Sequence, residues 1–178
     1  MAAVITHLLP LRGGALLTAR RIRPQDKPAL ARFFDRLSDE SKRRRFLAAK
    51  PKLTTRDLAF LTEIDHDRHV ALVALDQAGA IVAVARYAAW PGTADRAEIA
   101  FAVADGWHGR GLGSALAARL VEHARRSGLS ALTASTLSEN GASHALLRRL
   151  GFTPLRTSMG VTEYELAFGA GAALPAAA

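Results

Sequence analysis

The stretch AEIAFAVADGWHGRGLGSALAARLVEHARRS, residues 97–127, predicts a β-strand, a glycine-rich turn and an α-helix in direct succession. The turn holds Gly109, Gly111 and Gly113, and glycine permits positive φ and close approach of a ligand to the backbone. A helix that begins directly after such a turn presents unpaired N–H groups and the positive end of its dipole. The stretch therefore predicts a phosphate site, and we expect the other elements to build a sheet that holds it beside a cleft.

Apolar periodicity on either side of this stretch predicts one α/β (α+β) domain. We expect strands at residues 16–22, 70–75, 81–90, 96–103, 131–136 and 161–168, and a short strand from Phe152. Helices are expected after Pro24, after Ser38, after Thr54 or Thr55, and at 113–127 and 140–150. The turn at 76–79 should join its two neighbouring strands as an antiparallel hairpin. Because a helix separates strands 96–103 and 131–136, these two should be parallel, joined by a right-handed crossover. The sheet is thus expected to be mixed and largely antiparallel.

Composition excludes several classes of protein. The chain has 178 residues, no cysteine, and a formal net charge of +8 from 24 Lys+Arg and 16 Asp+Glu. Disulfides, thiolate metal sites and cysteine nucleophiles are excluded, and no apolar run approaches the ~20 residues that span a bilayer. We expect a cytoplasmic protein, monomer or homodimer, with no membrane partner. The expected division is a flexible leader at 1–15, the domain at 16–168 and a disordered tail at 169–178.

Two polar clusters each have a functional and a plain interpretation. The basic run at 42–45 could meet a nucleic acid or an acidic substrate, but it lacks the interleaved aromatics and fold context of a nucleic-acid binder. We interpret it as a solvated helical face and expect no nucleic acid. The segment DHDRH at 65–69 fits no metal-ligand spacing, so we expect a loop there and no metal. The net positive charge fits either a polyanionic ligand or a bias toward arginine.

The glycine turn has the spacing His108-x-x-Gly111-x-Gly113, without the Lys-Ser/Thr ending of a nucleotide P-loop. This spacing resembles the acetyl-CoA pyrophosphate loop of the GNAT N-acetyltransferase superfamily. Further along, Asn140 before a helix that ends in Gly151-Phe152 resembles the second pattern of that superfamily. The resemblance implies a GNAT fold with six to seven strands, acetyl-CoA as co-substrate, and a CoA site drawn from Phe101, Ala102, Val103, His108, Gly109, Arg110, Gly111, Leu112, Gly113, Ser114, Asn140 and Ser143.

Some of these residues also fit a purely structural role. Arg110 suits a solvent-exposed side chain, and Ser114 and Asn140 suit ordinary helix starts. His108 stands where the superfamily usually has Gln or Arg. Leu147 stands where many members have a tyrosine that protonates the departing thiolate. Because a thiol such as that of CoA leaves readily, with a pKa near ~8.5, an acid is expected to be dispensable.

Glu98 is the candidate general base. Alternation along the strand places it on one face with two alanines, Ala100 and Ala102, which leaves room for a ligand. Stretches including 37–41, 69–73, 84–87 and 97–101 resemble Pat-type bacterial protein lysine acetyltransferases, and that resemblance implies a catalytic glutamate at this position. The alternative for Glu98 is a structural ion pair with Arg86 or Arg96.

The resemblance implies transfer of an acetyl or short acyl group from acetyl-CoA to a primary amine, with a protein lysine side chain expected first. A lysine amine has a pKa near ~10.4, so a base must remove a proton before attack. The absence of cysteine favours direct attack over an acyl-enzyme. A small-molecule amine acceptor is the alternative within enzymes, and a non-catalytic acyl-CoA-binding module is the alternative outside them.

Overall fold

The computed structural model describes residues 7–169 except 91 and 94. Its strands are β1 (His7–Pro10), β2 (Leu16–Arg21), β3 (His69–Leu75), β4 (Ile81–Ala89), β5 (Arg96–Val103), β6 (Ala131–Leu137), β7 (Thr153–Ser158) and β8 (Val161–Ala167). Its helices are α1 (Lys27–Asp35), α2 (Asp39–Phe46), α3 (Thr55–Thr62), α4 (Leu112–Arg126) and α5 (Gly141–Arg149). The predicted helix starts are confirmed: Ser38, Thr54 and Asn140 each accept a hydrogen bond from a backbone N–H of the first turn.

The strands form one sheet in the order β1-β2-β3-β4-β5-β6-β8-β7. Every neighbouring pair is antiparallel except β5 and β6, which are parallel as the crossover through α4 predicts. Their pairing covers only residues 96–98 of β5 and 131–133 of β6. Both strands continue beyond these pairs, to Val103 and Leu137. The sheet therefore opens between them into a V-shaped gap.

Helices cover both faces of the sheet. On one face, α4 packs over β4 and β5, and its apolar stripe joins Tyr87 and Ile99 in the larger core cluster. On the other face, Leu30 and Phe33 of α1 pack on Val73 in a second cluster. This division follows from the two periodicities of the sequence, because alternate strand residues face opposite helix layers. Glu98 and Arg86 lie on the face covered by α1–α3.

The N-terminal region differs from the prediction. Residues 1–15 were expected to be a flexible leader, but β1 pairs with β2, and Leu9 and Leu11 are buried in the larger core cluster. The prediction was wrong for residues 7–15, because burial of these two leucines favours an ordered strand. β1 is also why the sheet has eight strands where six to seven were expected. Residues 1–6 and 170–178, the latter in the expected tail, lie outside the described residues.

No helix in the described part of the chain has both the length and the apolar character needed to cross a bilayer.

Candidate active site

The glycine turn connects β5 to the start of α4. Gly109 and Gly111 have φ of 73° and 85°, in the left-handed region that favours glycine. Gly111 is the N-cap of the 15-residue helix α4, and its carbonyl accepts from the N–H of Ala115 at 3.0 Å. The N–H groups of the first turn have no acceptor within the helix, so they point out from its positive end. The turn and the helix start thus have the geometry that suits binding of an anion.

A cavity of about 830 Å³ lies along this turn and the open edge of β5. Its volume lies within the ~300–1,000 Å³ range of ligand sites. Eleven of the twelve predicted CoA residues line it: Phe101, Ala102, Val103, His108, Gly109, Gly111, Leu112, Gly113, Ser114, Asn140 and Ser143. Arg110, the twelfth, does not line it; its guanidinium lies over the ring of Trp107, 4.9 Å from the ring centroid. The structure therefore brings together residues from β5, α4 and α5.

The backbone of β5 offers hydrogen-bond donors to the gap. The N–H of Ala104 donates to the Val82 carbonyl of β4 at 2.9 Å. Because N–H directions alternate along a strand, the N–H groups of Phe101 and Val103 point the opposite way, into the gap beyond the last β5–β6 pair. The N–H of Ala102 points toward β4. Ala102 can therefore line the cavity but cannot donate to a ligand there.

His108 is engaged with its own strand. Its Nε2 lies 2.9 Å from the Val103 carbonyl oxygen, and because a carbonyl only accepts, the ring donates from Nε2. This hydrogen bond closes the turn across five residues. Nδ1 is therefore the ring nitrogen that remains for a ligand, and it is an acceptor when the ring is neutral.

Asn140 and Ser143 form the N-terminal cap of α5. The Asn140 side-chain oxygen accepts from the Ser143 N–H at 3.3 Å, and its amide group donates to the Ser143 hydroxyl at 2.8 Å. Asn140 is buried, so these contacts satisfy its polar atoms as burial requires. The hydroxyl proton of Ser143 stays available to a neighbour in the cavity. Ser114 has a different partner, because its hydroxyl accepts from Arg149 at 3.0 Å.

Glu98 lies at the last β5–β6 pair, where the gap begins. Its carboxylate accepts a hydrogen bond from the Ser135 hydroxyl of β6 at 3.1 Å. Neither arginine considered as its ion-pair partner contacts it in the described part of the chain. Arg86 donates to the Leu61 carbonyl and to His69, and Arg96 pairs with Glu165. The carboxylate is thus available for a role other than a structural ion pair.

Glu98 itself does not line the large cavity. Its partner Ser135 lines a second cavity, of about 30 Å³, at the narrow end of the gap. The two cavities share Arg44, Arg45, Phe101 and Ser143 in their walls, so the small one is the inner end of the large one. Glu98 does not line the small cavity either, so in the described structure its carboxylate is connected to the cleft only through the Ser135 hydroxyl.

Helix α2 lies across the entrance to the gap. Asp105 accepts from the N–H and hydroxyl of Ser38, at 3.0 and 2.8 Å, and from the Ser41 hydroxyl at 2.7 Å. Partial burial raises the pKa of Asp105, but these hydrogen bonds outweigh burial and hold it at about 2. At the other side, Arg43 pairs with Glu139 at 2.7 Å. The helix is therefore fastened to both sides of the gap.

Arg45 of α2 lines both cavities. Burial lowers the pKa of its guanidinium, and the charge of Glu98 opposes that shift. No carboxylate lies within 4 Å of it among the described residues. Sequence reasoning missed Arg45, because it stands in the basic run interpreted as a solvated face. Ser135 was missed because its contact with Glu98 joins residues from separate strands.

Residues 7–169 without 91 and 94 contain no cluster of three or more His, Asp or Glu side chains arranged for a metal ion. Leu147, at the position of the expected acid, is buried in the larger core cluster.

The sequence profile of the Acetyltransferase (GNAT) family matches residues 31–152. Acetyltransferase Pat of Mycolicibacterium smegmatis is 32% identical over 168 residues, which are 93% of this chain and 50% of Pat. An L-methionine sulfoximine/L-methionine sulfone acetyltransferase of Pseudomonas paraeruginosa is 42% identical over 84 residues, 46% of this chain and 49% of that protein. This chain thus spans about half the length of these two curated relatives.

Among solved structures, the GNAT domain of PAT from S. lividans superposes with a TM-score of 0.85 at 32% identity, covering 92% of this chain and 97% of that domain. On the family match and on this fold, the chain belongs to the GNAT acetyltransferase family.

Proposed function

We propose that this protein transfers an acetyl group from acetyl-CoA to a primary amine, first of all the side chain of a protein lysine, with Glu98 as general base. The observation that carries the proposal is the position of Glu98. Its carboxylate stands where β5 and β6 part, hydrogen-bonded to Ser135 and without an ion-pair partner among the described residues. A carboxylate that lies beside a cleft and forms no ion pair is suited to accept a proton from a substrate.

The residues present fit acetyl-CoA. The first turn of α4 supplies backbone N–H groups for the pyrophosphate. A Cβ placed on Gly111 would meet no atom within 4 Å, so there is space for a ligand to approach the backbone at this residue. The remainder of the cavity, about 830 Å³ in all, runs from the turn to the gap and accommodates an extended arm. Ser114, Asn140 and Ser143 form its walls at the two helix starts.

The chemistry then follows from the gap. Glu98 takes a proton from the acceptor ammonium group, directly or through one water, since that amine has a pKa near ~10.4. The N–H groups of Phe101 and Val103 point into the gap, where they can hold the negative charge that develops on the thioester oxygen. The sequence has no cysteine to form an acyl-enzyme, so direct attack by the amine is the proposed route.

Similarity to Pat supports a lysine acceptor, because the sequence resemblance links that type to protein lysine acetylation. One observation favours a second candidate, a small amine of amino-acid type. Arg45 lines the cavity, and its guanidinium lies 4.9 Å from the ring centroid of Phe46 with no carboxylate within 4 Å in the described chain. Its charge is therefore not neutralised by an ion pair and suits a carboxylate on the acceptor. The similarity to an acetyltransferase named for methionine derivatives, over 46% of this chain, agrees with this candidate.

The test of the base is Glu98→Gln. With an accepted amine, kcat/KM should fall by about 100-fold or more, the scale of general-base catalysis, while the dissociation constant for acetyl-CoA changes less than about twofold. Rising pH should recover part of the rate, because the amine then loses its proton to solvent. Glu122→Gln is the matched control, since Glu122 pairs with Arg125 and Arg126 on the outer surface of α4.

Thiol release from acetyl-CoA, measured against lysine peptides, polyamines and free amino acids including methionine sulfone, identifies the acceptor class. Preference for lysine peptides supports the first candidate, and preference for free amino acids supports the second. If Glu98→Gln acetylates as fast as the parent protein, the base assignment is wrong. A chain that binds acetyl-CoA but releases no thiol with any acceptor is a binding module and not an enzyme.

A further inference from the structure

Thr136 of β6 carries a buried hydroxyl with no hydrogen-bond partner in the described part of the chain. The residue is only 3% exposed. Only one other buried side-chain atom there, Nδ1 of His66, is in the same situation. A buried hydroxyl without a partner is costly, so such a group calls for an explanation. We propose that the Thr136 hydroxyl donates a hydrogen bond to the sulfur of CoA as the thiolate leaves, a role that rests on the proposed acetyl transfer.

The first support for this role is the position of Thr136. It lines the cavity of about 30 Å³ at the narrow end of the β5–β6 gap, together with Phe101 of β5 and Ser143 of α5. This cavity is the inner end of the cleft that fits acetyl-CoA. The Phe101 N–H, the donor proposed for the thioester oxygen, points into the same gap. The Thr136 side chain therefore borders the inner end of the cleft, where we place the thioester.

The second support is the direction in which the side chain faces. Ser135 contacts Glu98, so Ser135 faces the α1–α3 side of the sheet. Because strand residues alternate, Thr136 faces the opposite side, with Ala134 and the buried Leu147 of α5. Glu98 and Thr136 thus flank the gap from opposite faces. This arrangement suits a displacement in which the amine arrives on the side of the base and the thiolate leaves on the other.

The third support is the chemistry of the step. Glu98 has taken one proton from the ammonium group, and the neutral amine nitrogen then forms a bond to the acetyl carbon. The carbon–sulfur bond breaks with its electron pair on sulfur, and the nitrogen releases its second proton to water. The thiolate afterwards takes a proton from water, since its thiol has a pKa near ~8.5. The Thr136 hydroxyl keeps its own proton and donates only a hydrogen bond, which is strong because the acceptor is charged. Leu147 has no atom able to do this.

Three variants test the proposal. Thr136→Val removes the hydroxyl at nearly constant volume, and Thr136→Ser keeps it. Thr162→Val is the matched control, because Thr162 is the buried register partner of Thr136 on β8, and its hydroxyl contacts Ser138 and Thr157 and not the cleft. We expect Thr136→Val to lower kcat about tenfold with little change in KM for acetyl-CoA. Thr136→Ser should restore most of the rate, and Thr162→Val should keep it.

Two further measurements do not depend on turnover. At a pH above that of thiol ionisation, Thr136→Val should weaken the binding of CoA about tenfold but leave the binding of desulfo-CoA, which lacks the sulfur, within about twofold. The free energy of unfolding of Thr136→Val should not fall, because the variant removes an unpartnered buried hydroxyl. A fall in rate can then be assigned to the missing donor and not to unfolding.

The outcomes separate the two proposals. If the parent protein binds acetyl-CoA and releases thiol, but Thr136→Val matches it in kcat and in CoA binding at high pH, the role of Thr136 is refuted and acetyl transfer stands. Equal weakening of CoA and desulfo-CoA binding also refutes it, because the sulfur is then not the acceptor. If the parent protein binds no acetyl-CoA, acetyl transfer itself fails, and the role of Thr136 fails with it.

Discussion

Lowering the pH from 7 to 5 is expected to destabilise this protein through His69 of β3. The ring lies beside Arg86, with His69 Nε2 3.1 Å from an Arg86 Nη atom. Since a guanidinium only donates, Nε2 must accept, which requires a neutral ring. Burial, and after it the positive charge of Arg86, lowers the pKa of His69 to about 4. The pair lies on the same sheet face as Glu98, beneath α3.

The sign and size of the effect follow from that pKa. The unfolded chain has a histidine pKa of about 6.5, so between pH 6.5 and 4 the unfolded state binds a proton that the folded state does not. Stability due to the neutral ring is therefore present above about pH 6.5 and is lost as the pH falls toward 4. Integrating between pH 7 and pH 5 gives a loss of about 2 kcal/mol in the free energy of unfolding from His69 alone.

The assay is urea unfolding at pH 7 and pH 5 of the parent protein and of His69→Gln. The glutamine oxygen can still accept from Arg86 but does not titrate, so the variant should lose about 2 kcal/mol less over this range. Burial also lowers the pKa of His66 and of His123. These two rings account for the dependence of unfolding free energy on pH that should remain in His69→Gln. Asp105 has a pKa of about 2, so it changes the free energy of unfolding only below about pH 4, outside the range of this assay.

Equal pH dependence in the parent protein and in His69→Gln would refute this reasoning, because it would mean that His69 takes up its proton in the folded state as readily as in the unfolded chain.

Two further predictions concern the cleft. In Gly113→Ala, the added Cβ would lie 3.5 Å from Val103 and 3.7 Å from Leu146, which are ordinary contacts, so stability should be unchanged or higher because alanine is the better helix former. Acetyl-CoA binding, measured by calorimetry, should change by less than about twofold, because the methyl group packs against these two side chains; a tenfold loss would show that the ligand approaches the backbone at residue 113 more closely than this packing allows. Asp105→Asn should lower the free energy of unfolding by about 1 kcal/mol, a value discounted for exposure to solvent, and should raise KM for the acceptor by loosening α2. Asp39→Asn, an exposed change in the same helix, is its control in thermal unfolding and kinetics, and equal effects of the two variants would contradict the anchoring role of Asp105.

Several features of the site could be predicted from the sequence because they depend on residues close together in the chain. The glycines at 109 and 111 require a turn with positive φ, and the apolar periodicity after them requires a helix. Alternation along β5 fixed which residues share a face with Glu98. The caps at Ser38, Thr54 and Asn140 are likewise local. These are the features for which the structure agrees most closely with the prediction.

Other features could not be predicted because they depend on contacts between distant residues. The sequence predicts a leader around Leu9 and Leu11, because only the pairing of β1 with β2 creates the core that buries them. The basic run predicts a solvated Arg45, because nothing in its own helix shows that α2 lies across the gap.

The sequence by itself determined most elements of this protein, with β1 the exception, and it also determined the glycine turn and the choice of Glu98 as candidate base. Hydrogen-bonding capacity and apolar periodicity are properties of the local chain, so these features could be predicted from it. Only the tertiary structure decided that β5 and β6 separate after three residue pairs. That separation leaves the Phe101 N–H directed into open space, and it opens the small cavity that Thr136 and Ser135 line. The physical reason is that the backbone N–H and C=O groups along a strand are either hydrogen-bonded to a neighbouring strand or left unpaired. Which strand lies beside them, and over how many residues, depends on the packing of the whole sheet.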